Sequence, residues 1–416
     1  MQVKRTIYVG ITDFAKKHTF FRKCVRKIVH TTKFIRFKIR GIRKKVDDKT
    51  IILFAFKGKS YSCSPKAIYE YMQNEEKYEQ YKYIWAFEKP ENYDFLRKNK
   101  NTEVIKYGGR TFEKKLAVAK YWIVNYRVED HIYPKKNQVY VQCWHGTPLK
   151  RLGYDLKNIN SAMNSDEEIY SRYKIDAKKF NYILSPSHFA SEKFITAWNL
   201  KNTKMLYKVI EEGYPRNDFL YNYTSDDLKQ IKQKLKIPED KKVLLYAPTY
   251  RDNQHKSGVG YVYQTKVNFD FLKEKLQEEY VILFRAHYLV SNSFDFEKYK
   301  GFIYNVSEYD DINHLYIISD LLITDYSSVF FDYANLKRPI IFYMYDLEEY
   351  KEELRGFYLN ISELPGEIVQ TQEKLIDSIE NTKRFVYNKN YQLFNNKYNY
   401  LDDGQASKRV VEKIIK

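Results

Sequence analysis

Two histidines stand where an apolar run gives way to a turn. His145 lies in "VYVQCWHGTPLKRLGYD" (139–155) and His287 ends "YVILFRAH" (280–287). An imidazole titrates near pH ~6.5, so it can take a proton from a hydroxyl or donate a hydrogen bond to a phosphate. One histidine at a strand end is more often structural than catalytic. Two of them, one in each half of the chain, can face each other across a cleft. Gly146 leaves room for a close ligand, Thr147 follows it, and Pro148 pre-sets the next turn. Lys150 and Arg151 add positive charge. This set suits transfer chemistry on a phosphorylated donor.

A third stretch, "LLITDYSSVFFDYA" (321–334), reads as strand, turn and helix. Leu321–Thr324 has strand character and Val329–Asn335 helical character, so Asp325, Tyr326, Ser327 and Ser328 form the turn. Free N–H groups at a helix start, joined by two hydroxyls, suit an anion such as phosphate. A plain serine cap would give the same pattern. "LYAPTYRDN" and "LFRAHYLV" also end strands in polar groups, including Arg251 and Arg285. His18 and His30 belong to a basic helix, and His131 and His255 to loops. His188 falls in a helix that Ser187 caps, and His314 is a minor candidate on an amphipathic helix. There is no Walker loop, no GxGxxG after a strand and no GxSxG elbow. The Asp pairs form no DxD pattern at a strand end, so neither a metal site nor a cofactor is expected.

The elements that must position these groups come in two series. Strands are predicted at 50–56, 81–87, 121–126, 139–144 and 181–187, with helical spacing at 65–72 and 111–119. A second series runs through 242–249, 280–287, 302–307, 321–328 and 339–345. Near-continuous Val, Ile, Leu, Phe and Tyr is what parallel strands covered on both faces require. The alternation predicts right-handed βαβ units and two doubly wound α/β domains, joined within 218–242. Ligands of open α/β sheets sit beyond the carboxyl ends of the strands, where the two histidines fall.

The chain has 416 residues and a formal net charge of +19, long enough for two cores. From Ala15 to Lys45 there are 13 Lys or Arg and no acid. Phe21, Val25, Ile28, Thr32, Ile35, Ile39 and Ile42 recur every three or four residues there, as one stripe on a helix. Such a helix suits an anionic membrane surface, at ~1 kcal/mol per basic residue near the lipid. The alternative is a helix packed on the body with its basic face solvated. No run approaches the ~20 apolar residues of a transmembrane helix, and no signal-peptide cleavage site is seen. A peripheral protein of the cytoplasmic membrane face is therefore expected. Cys24, Cys63 and Cys143 form no disulfide or zinc pattern. No zinc-finger or RNA-recognition signature occurs, so nucleic acid is not an expected partner.

Taken in order, "FAFKGKSYSCSPKAIYEYM", "WHGTPLKRLGYD", "YAPTYRDN", "FRAH", "ISDLLITDYSSVFFDYA", "RPIIFY", "RGFYLN…LPG" and "DGQASKRVV" resemble the CDP-glycerol glycerophosphotransferase family. That family includes teichoic acid glycerol- and ribitol-phosphate primases and polymerases and some capsule polymerases. The resemblance implies a GT-B fold of two Rossmann-like domains, with the donor held mainly by the second. The expected division is a basic segment over 1–48, an acceptor-side domain over 49–222 and a CDP-donor domain over 223–416.

It further implies transfer of a polyol phosphate, glycerol phosphate before ribitol phosphate, from a CDP-polyol to a lipid-linked saccharide or polymer, releasing CMP. His145 would be the base, and His287 would contact the donor pyrophosphate. Thr324, Ser327 and Ser328 would hold phosphate, with Asp325 orienting the turn. Gly146, Thr147, Lys150, Arg251 and Arg285 would complete the substrate site. The chain departs from the family pattern at Ser62-Cys63-Ser64-Pro65, where an acidic residue is expected before the proline. An extra N-terminal domain of some long polymerases is also not expected. A GT-B glycosyltransferase with a nucleotide-sugar donor and a non-catalytic membrane scaffold are the competing readings, and a homo-oligomer is compatible with each.

Overall fold

A computed structural model describes residues 19–156, 165–249, 255–256, 260–261, 267–286, 294–348 and 356–415. Two parallel sheets organise them. The first contains β1 (Asp47–Phe54), β2 (Lys82–Phe87), β3 (Thr102–Lys106), β4 (Ala119–Val124), β5 (Val139–Gln142), β6 (Tyr182–Ser185) and β7 (Val209–Glu211). Their order is β3-β2-β1-β4-β5-β6-β7, and every pairing is parallel.

The chain then forms β8 (Lys242–Ala247), a two-residue ladder of β9 (His255–Lys256) and β10 (Gly260–Tyr261), and β11 (Tyr280–Phe284). β12 (Ile303–Asn305), β13 (Leu321–Thr324), β14 (Ile340–Tyr343) and β15 (Glu367–Val369) follow. The second sheet runs β12-β11-β8-β13-β14-β15, again parallel throughout. In both sheets the first strand lies inside, and the chain reverses its direction of winding beside it, between β1 and β4 and between β8 and β13. Those reversal points open the crevices in which ligands of such sheets bind.

The cores explain the continuous apolar runs. Ile52, Phe54, Trp122 and Val124 face one helix layer, while Ile51, Leu53, Tyr121 and Ile123 face the other. β8, β11 and β13 divide in the same way between two further apolar clusters. Alternate residues of one strand thus enter opposite cores, and a polar residue on either face would need a buried partner.

Among the strands not predicted are β3, β7 and β15, and each lies at a sheet edge. β7 and β15 have three residues each, and β3 ("TEVIK") contributes only two fully buried ones. An edge strand is covered less, so its apolar signal is weak. The last helix, Ala406–Ile414, returns to the first sheet, where Val410, Val411 and Ile414 join the core around Ile51, Leu53 and Tyr69. A cut at 222/223 therefore assigns to the second unit a helix that completes the core of the first.

The N-terminal helix spans Thr19–Gly41. It lies on the first unit through Phe37, which is 6% exposed, through Arg40 and Arg36 on Glu113, and through Arg26 on Glu168. The Nε2 of His30 meets the carbonyl oxygen of Asp130 at 3.2 Å. The opposite face carries Ile28, Ile35 and Ile39, which stay 66%, 52% and 65% exposed. The helix thus packs on the body, as the second expectation has it, but it does so partly through its arginines, and the apolar stripe is the face left uncovered. No helix among the described residues is long and apolar enough to cross a membrane.

Candidate functional site

The carboxyl ends of β5, β8, β11 and β13 surround a cleft of about 520 Å³. From the first unit, Trp144, His145, Gly146, Thr147 and Lys150 line it. The second unit contributes Thr249, Arg285, Ser307, Ser327 and Ser328. The volume falls within the range of small-ligand sites.

His145 is held by its neighbours in a single protonation form. Its Nδ1 lies 2.9 Å from the carbonyl oxygen of Asn125, at the end of β4. Since a carbonyl only accepts, Nδ1 carries the hydrogen and donates it, which leaves Nε2 as the basic nitrogen. The ring stacks on Trp144 (centroids 4.4 Å apart) and Tyr126 (5.8 Å), and meets the edge of Phe56. Burial pushes its pKa down to about 4; the bond to Asn125 opposes that shift, and the Arg216 cation adds to it. The imidazole is therefore neutral at neutral pH and able to accept a proton.

The main chain around His145 is pinned. Trp144 adopts a left-handed backbone (φ 54°), and its N–H donates to Gln142 Oε1 at 3.0 Å. Arg216 Nη1 donates to the carbonyl of His145 at 2.6 Å, and the Tyr214 hydroxyl to that of Gly146 at 3.0 Å. Through Nη2, Arg216 also forms an ion pair with Asp332, in the short helix Val329–Tyr333 that follows the serine turn. Both partners are buried, at 8% and 3% side-chain exposure. One guanidinium thus ties the histidine loop of the first unit to the serine turn of the second. The approach is close: a Cβ on Gly146 would stand 3.1 Å from Ser328 Oγ.

A second tie lies farther along the same loop. The N–H of Arg151 donates to the carbonyl of Gly356 at 3.2 Å, and that of Tyr358 to Leu149 at 2.8 Å. This antiparallel pairing joins "HGTPLKR" to "RGFYLN" across the two units.

The expected site residues divide into three groups. His145, Gly146, Thr147, Lys150, Arg285, Ser327 and Ser328 come together on the cleft wall. Thr324 and Asp325 do not reach it. Thr324 is buried at the end of β13, and its hydroxyl donates to the carbonyl of Ala247 on β8 at 2.7 Å. Asp325 accepts from the N–H groups of Thr249 (2.7 Å) and Tyr326 (2.6 Å), fixing the loops after β8 and β13 to each other. Arg251 and His287 lie outside the described residues, although Ala286, next to His287, lines the cleft.

Arg285, although on the cleft wall, is also held by main-chain carbonyls. Its Nη1 donates to the carbonyls of Val306 (2.9 Å) and Tyr309 (2.7 Å), which braces the loop after β12. Ser328 precedes the helix at 329–333 without capping it through its side chain. His314 lies apart from this cleft, where its Nε2 is 3.3 Å from Lys66 Nζ. No group of three or more His, Cys, Asp or Glu able to hold a metal occurs among the described residues.

Sequence reasoning missed Asn125, Arg216 and Asp332. Asn125 acts on His145 through its main chain, which any residue type could supply. Arg216 follows a proline in "GYPRND", and a single arginine there carries no recognisable pattern.

Residues 35–416 match the family described as CDP-glycerol:poly(glycerophosphate) glycerophosphotransferase. The chain belongs to that family. It is an enzyme of the glycerophosphotransferase type. The chain is 40% identical to a teichoic acid poly(glycerol phosphate) polymerase of Bacillus spizizenii over 92% of its length and 95% of the relative's. It is 38% identical to a teichoic acid glycerol-phosphate transferase of Staphylococcus aureus, covering 95% of itself and all of that protein. A longer polymerase of Bacillus subtilis, 40% identical, is covered over 57% of its length. The solved wall teichoic acid polymerase TagF superposes with a TM-score of 0.82 at 36% identity, over 97% of both chains. The two-sheet arrangement is therefore GT-B-like, as the sequence motifs implied.

Proposed function

We propose that this glycerophosphotransferase moves glycerol phosphate from CDP-glycerol to a hydroxyl of a lipid-linked acceptor in teichoic acid synthesis, with release of CMP. The observation that carries the reading is the His145 imidazole, with Nε2 basic, on a cleft whose opposite wall bears two serine hydroxyls and Arg285. Two of the relatives reported above are named poly(glycerol phosphate) polymerases and the third a glycerol-phosphate transferase, and TagF has been soaked with CDPG.

The chemistry follows from these groups. His145 Nε2 takes the proton of the acceptor hydroxyl as its oxygen attacks the β-phosphorus of the donor. The new O–P bond forms, the bridging P–O bond breaks, and CMP leaves with the electron pair as a phosphate monoester. Such a leaving group needs no proton from an acid. Positioning and charge stabilisation do the remaining work, supplied by Ser327, Ser328 and Arg285 of the second wall. His287 is assigned to the donor pyrophosphate by the family resemblance. No metal or cofactor enters this scheme.

The N-terminal helix supports a peripheral position at the membrane face where the acceptor's lipid is anchored. Its exposed isoleucines are flanked by basic residues, a combination that suits anionic lipid.

The test is CMP release from CDP-glycerol, CDP-ribitol and nucleotide sugars in the presence of a lipid-linked acceptor. CDP-glycerol is the expected donor, and His145→Ala should lose 10²–10⁴-fold or more in turnover. Consumption of a nucleotide sugar with CDP-polyols ignored would overturn the reading in favour of a glycosyltransferase.

A further inference from the structure

Behind the ring stacked on His145, just outside the lining of the cleft, stands a cation that the scheme above does not use. β1 ends in the turn Phe56-Lys57-Gly58, beside the end of β4. Phe56 and Lys57 both adopt left-handed backbone conformations (φ 47° and 61°), which cost conformational energy for residues with a side chain. Gly58 completes the turn, where a Cβ would stand 2.8 Å from Tyr107 Cβ and 2.9 Å from the carbonyl oxygen of Ala86.

One residue couples this turn to the base. The Asn125 side-chain Oδ1 accepts the N–H of Phe56 at 2.8 Å, while its main-chain oxygen accepts Nδ1 of His145 at 2.9 Å. Phe56 presents its ring to the imidazole edge-on. Lys57 Nζ stands over the Tyr126 ring at 5.3 Å, and that ring stacks on His145. The ammonium is thus one aromatic ring away from the imidazole. Lys57 is half-buried, and among the described residues no carboxylate pairs with it.

A strained turn, tied to the base through a shared asparagine and bearing an unpaired cation, has the makings of a recognition element. We propose that Lys57 binds the phosphate of the acceptor's terminal unit, so that the neighbouring hydroxyl of that unit meets His145 Nε2. This rests on the reading of His145 as the acceptor base, and it adds an acceptor-side phosphate contact to the donor-side one. The ligand class is a phosphodiester or phosphomonoester on a polyol. An acceptor whose end lacks phosphate would not engage Lys57.

The experiment uses the full chain, CDP-glycerol and two soluble acceptor analogues, one ending in glycerol phosphate and one in an unphosphorylated hydroxyl. Lys57→Met should raise KM for the phosphate-ended acceptor about 10- to 100-fold. KM for CDP-glycerol and for the unphosphorylated acceptor should not move. Lys57→Arg should recover most of the loss. Lys57→Gly, which accepts the left-handed backbone without strain, should behave like Lys57→Met.

An equal loss with both acceptors, no loss with either, or a rise confined to CDP-glycerol would overturn the proposal. So would full activity in Lys57→Gly. His145→Ala is run alongside. If it keeps its activity, the base assignment itself falls. If it is inactive while Lys57→Met is unaffected, only the Lys57 assignment falls.

Discussion

The two walls of the cleft are built on opposite plans. On the first, the chain from Trp144 to Gly146 is fixed at four points: Gln142 holds one N–H, Arg216 and Tyr214 hold two carbonyls, and Asn125 holds the imidazole. On the second, the polar groups beneath the surface are paired, as in Thr324 and Asp325, while Ser328 leaves its helix uncapped. Under the proposed function, the difference follows from what each wall would do. A base works only in one tautomer and one orientation, so it is fixed before substrate arrives. A phosphate site must keep donors uncommitted, because the ligand's oxygens are their partners.

From this contrast, substitutions on the two walls are expected to fail in different ways. His145→Ala gives the largest effect, the loss of turnover described above, with the folding midpoint little changed. In the wild type, kcat/KM should be flat from neutral pH down to about pH 5 and fall only below that. The reason is that burial keeps His145 neutral until its pKa of about 4. An acid limb near the ordinary histidine value would show that the base is solvated and that the first wall is less closed than described.

The next largest effect belongs to Arg216→Met, which leaves Asp332 buried without its cation. A buried pair broken on one side costs about 3–5 kcal/mol of stability. Urea midpoints should fall accordingly, and kcat with them, because both His145 and the serine turn lose their shared anchor. Ser327→Ala with Ser328→Ala should be milder and of another kind, with about 10- to 100-fold loss in kcat/KM for CDP-glycerol and an unchanged urea midpoint. If the double serine variant unfolds as readily as Arg216→Met, those hydroxyls are structural and the contrast between the walls is lost.

The smallest effect on turnover is expected from the N-terminal helix. Replacing Ile28, Ile35 and Ile39 by serine should abolish sedimentation with anionic liposomes and spare the reaction with a soluble acceptor. Sedimentation that persists would assign membrane contact to another surface.

Much of this molecule was legible as sequence, for a specific reason. Parallel strands covered on both faces must be apolar throughout, so the inner strands announced themselves, and the polar residues that ended them marked the crevice. His145, Gly146, Ser327 and Ser328 were found that way. The edge strands β3, β7 and β15 were not, since half-covered chain can be short and polar. The exposed isoleucines of the first helix show the limit of the same logic. Their spacing indicated an apolar face without saying whether the body of the protein would cover it.

Sequence alone determined that two apolar sheets carry polar loops at their ends, because burial on both faces leaves no other arrangement for such runs. Tertiary structure decided which loop residues reach the cleft. Thr324 and Ser328 are four residues apart in one motif, yet the sheet turns the first toward Ala247 and leaves the second beside Gly146. It also paired Arg216 with Asp332, 116 residues away, and gave His145 a main-chain partner. Long-range pairs and main-chain acceptors depend on where the chain passes, and no residue type or spacing records that.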